Sequence, residues 1–175
     1  MKKKMTGIML FAVLFPAVSV QAVDNLQFKG NLIIPNCTVN NNNTVQIDWG
    51  DVEIQTLNSK NVGFHEKEVS IPLNCPYSLG QPKLKIIADM HTPGGEQGIK
   101  TSKYSEGLLV YLKTGRNQPW MNESNKYYPI PAESISGNGT VKQLKFYAYL
   151  GRYKEITDLQ PGPFTASANM EVRYE

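Results

Sequence analysis

Short runs in which apolar and polar residues alternate recur along the chain, and each run is bounded by Gly, Pro or Asn. A period of two is the pattern of a strand with one buried face, and no segment keeps a helical apolar stripe for three turns. We therefore predict an all-β fold. The predicted strands cover residues 26–34, 44–49, 68–75, 83–88, 108–113, 141–150 and 164–174.

The first residues follow a different pattern. Three lysines at positions 2 to 4 precede an apolar run from Ile8 to Val20, which ends in the tripeptide Val-Gln-Ala. This is the pattern of a secretory signal peptide over residues 1–22, cut after Ala22. The run is too short for the roughly 20 residues of a membrane-spanning helix, so a retained anchor is the weaker interpretation.

Removal of this segment changes the charge of the chain. The three lysines account for the whole excess of 18 basic over 15 acidic residues, so the mature chain is nominally neutral. There is no basic patch of the kind that indicates nucleic-acid binding. The remaining residues are the size of one domain, and no linker divides them.

Two cysteines, Cys37 and Cys75, enter an oxidising compartment on export. We predict that they form a disulfide, which at this loop length would stabilise the fold by roughly 4 kcal/mol. A metal site is less favoured, because neither cysteine has a second ligand at metal-binding spacing. Several short strands and a disulfide are typical of an immunoglobulin-like sandwich.

The two ends of the mature chain alternate most clearly. At the front, one face carries Leu26, Phe28, Gly30 and Leu32. At the back, a strand reaches almost to the C-terminus, and its apolar face carries Phe164, Ala166, Ala168, Met170, Val172 and Tyr174. Alternation alone favours the interpretation of both ends as ordinary edge strands.

No catalytic or cofactor chemistry is indicated. The two histidines, His65 and His91, lie among polar or turn residues, and we expect both at the surface. Nucleophile triads, phosphate-binding loops and paired-cysteine motifs are absent. We assign no catalytic residue, no cofactor, no metal and no small-molecule substrate.

A resemblance to a known family extends over nearly the whole chain. The chain resembles the subunits of chaperone–usher pili, and most of all the minor subunit of the tip fibrillum of P-type pili. The matching segments are residues 23–30 (VDNLQFKG), 32–35 (LIIP), 37–39 (CTV), 51–57 (DVEIQTL), 65–68 (HEKE), 75–77 (CPY), 107–112 (GLLVYL) and 162–164 (GPF), with the penultimate Tyr174.

The resemblance implies an immunoglobulin-like sandwich that lacks its last strand. Residues 23–34 would be a donor-strand extension and residues 35–175 the pilin domain. The donor residues would be Leu26, Phe28, Gly30 and Leu32, with Gly30 at a point where the acceptor has no room for a side chain. The strand that ends at Tyr174 would border the acceptor groove and pair with the chaperone.

The resemblance also implies partners and a location. A periplasmic chaperone would hold the terminal carboxylate of Glu175 with basic residues, and an outer-membrane usher would then pass the subunit to neighbouring pilus subunits in a surface fimbrium. Residues 97–103 and 116–128 match no family motif, and we expect surface loops there. An adaptor subunit of the same fibre remains possible on these grounds.

Two further alternatives are less favoured. A sugar-binding adhesin could use Trp49, Trp120, Tyr127 and Tyr128 for stacking, but adhesins of such systems resemble two-domain proteins. A fibre terminator would lack the donor extension.

Overall fold

The computed structural model describes residues 26–92 and 98–175. The chain divides into two units, Met1–Leu32 and Ile33–Glu175. In the first unit the described residues, 26–32, have no regular secondary structure. The predicted signal peptide and the start of the donor segment, residues 23–25, lie outside the described residues.

The second unit consists of strands connected by loops and single turns of 3-10 helix, with no α-helix in its described part. Among the described residues, no helix is long and apolar enough to cross a membrane. The strands are β1 (Thr38–Val39), β2 (Phe64–Asn74), β3 (Pro82–Ile87), β4 (Ile99–Lys100), β5 (Leu108–Lys113), β6 (Lys126–Pro129), β7 (Ile135–Ser136), β8 (Val141–Arg152) and β9 (Asn169–Tyr174).

The strands form two antiparallel sheets. The larger sheet has the order β1-β2-β8-β5-β4, with β7 also paired to β8, and the smaller has the order β6-β3-β9. Strand β2 shows why the alternation in sequence predicts this arrangement, because Val69, Ile71 and Leu73 are buried while the residues between them are exposed. The same core holds Leu84 of β3 and Val172 of β9, so the inner faces of both sheets share it. The all-β sandwich is therefore confirmed.

The outer face of the larger sheet carries a second apolar cluster. Leu109 and Tyr111 of β5 and Tyr147 and Tyr149 of β8 are buried there, and Trp120 packs over them. The Trp120 ring centroid lies 5.3 Å from that of Tyr111 and 5.1 Å from that of Tyr149. The near-continuous apolar runs of β5 and β8 follow from this, because both faces of these strands are covered.

The expectation of surface loops at residues 97–103 and 116–128 was wrong in part. Ile99 is buried in β4, Met121 is buried in the main core, and residues 126–128 belong to β6. His91 was also expected at the surface, but it is 5% exposed and stacks on Tyr153 with 4.1 Å between ring centroids. Polar residues dominate these segments, so the sequence pattern concealed the few buried side chains.

Three predicted strands differ from those observed. Residues 26–34 and 44–49 belong to no strand, and the predicted C-terminal strand begins at Asn169 rather than at Phe164. Alternation reports on which side chains share one face of an extended segment, whereas a strand also needs a partner for its main-chain hydrogen bonds. These segments lack that partner within the described chain.

The predicted disulfide joins Cys37 to Cys75, with 4.1 Å between the Cα atoms. It connects the residue before β1 to the residue after β2, and the Cys37 amide also donates a hydrogen bond to the Val172 carbonyl at 2.7 Å. The bond therefore fixes the point at which the N-terminal segment joins the sandwich.

We expect the double variant Cys37→Ser, Cys75→Ser to lose roughly 4 kcal/mol of folding free energy, because the unfolded chain would no longer be cross-linked. Chemical denaturation under non-reducing conditions measures this loss. The reduced wild-type chain is the matched control, and equal stability of oxidised and reduced wild type would contradict the prediction.

Candidate assembly site at the open edge of β9

Strand β9 is an edge strand. Its one strand partner among the described residues is β3, in the register Leu84 with Val172 and Ile86 with Met170. An edge strand presents a row of main-chain N–H and C=O groups that another chain can pair with. The C-terminal end of the protein thus offers a template for strand addition.

The direction of the main chain shows which residues present these groups. The Val172 carbonyl accepts the hydrogen bond from Cys37, so Val172 turns its main-chain polar groups away from β3. Because successive residues of a strand face opposite ways, Met170 turns its groups toward the same side. No described residue forms a strand ladder with Met170 there.

The side chains of the C-terminal segment fall into two groups. Val172 and Tyr174 are buried in the core, and Phe164 and Met170 pack against it while partly exposed. Ala166 and Ala168 are exposed, although the sequence places them on the same face. The apolar face of this segment is therefore covered at its two ends and open in the middle.

Residues 44–49, which belong to no strand, approach the Phe164 end of this face. Val45, Ile47 and Trp49 alternate with exposed residues and pack against the core without joining a strand. The Trp49 ring lies 6.3 Å from the Phe164 ring, and its Nε1 donates to the His65 carbonyl at 2.8 Å. This segment and the C-terminal segment thus meet at Trp49 and Phe164. Neither residue belongs to a β-strand.

The outward face of β9 is polar and internally paired. Lys85 forms an ion pair with Glu171 at 2.7 Å, and the Arg173 guanidinium lies 3.8 Å from the Tyr127 ring centroid. The hydrogen bond from Lys85 lowers the pKa of the Glu171 carboxyl. Both partners are therefore ionised at neutral pH, and this face has little free charge.

The last residue is fixed in place by its neighbours. The Gln81 amide donates to the Glu175 main-chain oxygen at 2.7 Å, and the Glu175 amide donates to the Gln81 carbonyl at 3.0 Å. Gly80 permits this close approach, because it has a φ of +95° and a Cβ there would lie 2.5 Å from the Glu175 oxygen. Lys83 holds the Glu175 side chain at 2.7 Å.

The predicted donor residues are exposed. The exposed fraction is 68% for Leu26, 86% for Phe28 and 102% for Leu32. A Cβ added to Gly30 would meet nothing within 4 Å. The apolar side chains of this segment are therefore exposed, and the role of the segment stays a prediction.

The four aromatic residues considered for sugar stacking are each engaged within the chain. Trp49 contacts Phe164, Trp120 covers the outer tyrosine cluster, Tyr127 lies against Arg173, and the Tyr128 hydroxyl bonds to Asn122. The described residues also hold no group of His, Cys, Asp or Glu placed to bind a metal ion. The open edge of β9 remains the strongest candidate site.

Comparison with known proteins places the chain in a family. The fimbrial protein family model matches residues 26–175. The fimbrial protein PrsE of Escherichia coli is 37% identical, with 98% of this chain and 99% of PrsE aligned. The fimbrial adapter PapF of Escherichia coli is 25% identical over 95% of this chain and 96% of PapF.

Solved structures share the fold. The P pilus rod subunit PapA superposes with a TM-score of 0.56 at 17% identity, covering 86% of this chain and 99% of PapA. A subunit in the structure of a chaperone–usher pilus superposes with a TM-score of 0.58 at 16% identity, covering 94% of this chain and 100% of its own. The chain therefore belongs to the fimbrial protein family and is a pilus subunit, exported to the cell surface as part of a fimbria.

Proposed function

We propose that this pilus subunit polymerises by donor-strand exchange and has a structural, non-catalytic role. The observation that carries the proposal is the open edge of β9, where Met170 presents main-chain groups beside the exposed Ala166 and Ala168. Addition of an extended segment to such an edge is the known mode of pilin complexes. The added strand would cover the part of the apolar face that the chain itself leaves open.

The N-terminal segment has the properties of such a strand. It carries three exposed apolar side chains, Leu26, Phe28 and Leu32, at a spacing that puts them on one face. Burial of each would contribute about 1.5 to 3 kcal/mol, and main-chain hydrogen bonds would add to this. The subunit would donate this strand to one neighbour and accept the strand of another.

A periplasmic chaperone would occupy the edge of β9 before assembly, and an outer-membrane usher would mediate the exchange. The fixed position of Glu175 supports this, because two main-chain hydrogen bonds to Gln81 hold the terminal carboxylate at a defined place at the end of β9. Basic residues of the chaperone would grip that carboxylate.

Within the fibre we place the subunit in the tip fibrillum. The adaptor role is the less favoured alternative, because the identity to the adapter PapF is 25%, lower than the 37% identity to PrsE. The exposed donor residues argue against a terminator. The internal contacts of Trp49 and Trp120 argue against sugar stacking by an adhesin.

Expression with and without the chaperone tests the proposal. The mature chain alone is expected to aggregate, because an apolar strip beside an unpaired edge is exposed. Co-expression with the pilus chaperone of the same system should yield a soluble one-to-one complex in size-exclusion chromatography. A stable, monodisperse monomer of the chain alone would overturn donor-strand exchange.

A further inference from the structure

One end of the sandwich combines several exposed apolar groups. We call it the cysteine end, and it comprises the Cys37–Cys75 disulfide, the loop of residues 76–81 and the turn of residues 137–141. These parts are adjacent because Asn74, the last residue of β2, pairs with both Thr38 and Val141. The Cys75 amide also donates to the Thr140 carbonyl at 2.7 Å.

The exposed groups at this end are large. Leu79 is 70% exposed and Val141 is 67% exposed. Beside them lies an open depression whose lining includes Pro82, Ile130, Ile135 and Tyr174, with Lys142 also present. Exposed apolar residues that cluster in this way are typical of a protein contact surface.

The length of the connecting chain indicates the partner. Cys37 is fixed by its disulfide and by its hydrogen bond to Val172. Only five Cα–Cα steps separate it from Leu32, the last predicted donor residue, and fully extended they span about 17 Å. A subunit that holds Leu32 in its own edge must therefore lie close to the cysteine end of this one.

We propose that the cysteine end docks against the pilus subunit whose edge receives this chain's N-terminal segment. The docking surface is formed by Leu79, Val141 and the adjoining depression, and Ile33 and Ile34 of the connection, 74% and 45% exposed, lie between the two bodies. This contact would restrict bending between successive subunits. The inference rests on the proposed function, since it needs the donor strand to be inserted.

Site-specific photo-cross-linking in assembled fibres tests it. p-Benzoylphenylalanine is placed at Leu79 or at Val141 in the full chain, expressed with the chaperone and usher of the same system, and purified fibres are illuminated. We expect a subunit–subunit product several-fold more abundant than from a probe at Ser70, which is exposed in the middle of β2, four residues from Asn74. Peptide mass spectrometry should locate the partner peptide on the accepting subunit.

A photo-cross-linking probe at Phe28 distinguishes failure of the docking surface from failure of donor-strand exchange. If Phe28 cross-links a neighbour while Leu79 and Val141 give no more than Ser70, docking is wrong and strand exchange stands. If Phe28 also fails to cross-link in fibres, the proposed function fails. Products from Leu79 and Val141 that join them only to the chaperone, or only within one chain, contradict the docking surface.

A second measurement needs no probe at the surface itself. The double variant Leu79→Glu, Val141→Glu should still assemble and keep the Phe28 cross-link, but its fibres should bend more sharply between subunits in electron micrographs. Ser70→Glu is the control for added charge. Unchanged bending in the double variant would overturn the proposal.

Discussion

Replacement of Gly30 by leucine is expected to abolish donation of the N-terminal strand while leaving the subunit able to fold and to bind its chaperone. The chain's own fold has room for the change, because a Cβ at Gly30 would meet nothing within 4 Å. The accepting edge is expected to have no room for a side chain at this point, so the leucine would push the donor strand away from it. The neighbouring Phe28 and Leu32 would then lose contacts worth about 1.5 to 3 kcal/mol each.

Electron microscopy of fibres and pull-down of chaperone complexes measure both parts of this prediction. Lys29→Leu is the matched control, since it adds the same side chain on the opposite face of the segment and should leave assembly intact. Gly30→Ala should have an intermediate effect. Normal fibres from Gly30→Leu would contradict the assignment of Gly30 to the donor face. Residues 26–32 would then be an ordinary surface segment.

A second copy of residues 23–34, appended after Glu175 through a short flexible linker, is expected to convert the aggregating chain into a stable monomer. The appended strand would cover Ala166 and Ala168 and pair with the main chain of Met170. Three buried donor side chains would contribute about 5 to 9 kcal/mol before the cost of ordering the strand. For a domain of this size, even half of that would raise the Tm by about 5 °C or more.

Thermal unfolding and size-exclusion chromatography check this outcome. The control carries Phe28→Asp and Leu32→Asp in the appended copy alone, so the length and linker are unchanged and the apolar contacts are lost. Equal solubility and Tm for the two proteins would show that the apolar face of the segment does not fill the edge of β9.

Tyr174 is a poorer position for testing the accepting edge than the sequence indicates. The pattern places it on the apolar face of the last strand, but in the structure it is 6% exposed and belongs to the core. Tyr174→Ala would therefore destabilise the subunit itself by about 3 to 5 kcal/mol, as large-to-small changes in a core do. Ala168 is exposed, so a substitution at this position would change the accepting surface with less effect on the stability of the fold.

The strands that the sequence predicts well are those with a strong apolar pattern. The bounds of β5 agree with the prediction at both ends, and β8 begins at the predicted Val141. The very short strands β1, β4 and β7 were missed, because two residues cannot establish a period. The disulfide was predictable since only two cysteines exist and export places them in an oxidising compartment.

The sequence by itself determined the all-β class, the Cys37–Cys75 pair and the two apolar faces at the ends of the chain, because hydrophobicity and its alternation are local properties of the sequence. The tertiary structure decided which of those faces already has a cover. It placed Val172 and Tyr174 in the core and left Ala166 and Ala168 exposed. It also brought the loop of residues 76–81 and the turn of residues 137–141 to the same depression at the cysteine end, through Gly80 and Gly137. The burial of a face depends on which segments lie next to each other in the folded chain. Those segments are far apart in sequence, so a local pattern of residues does not determine which of them meet.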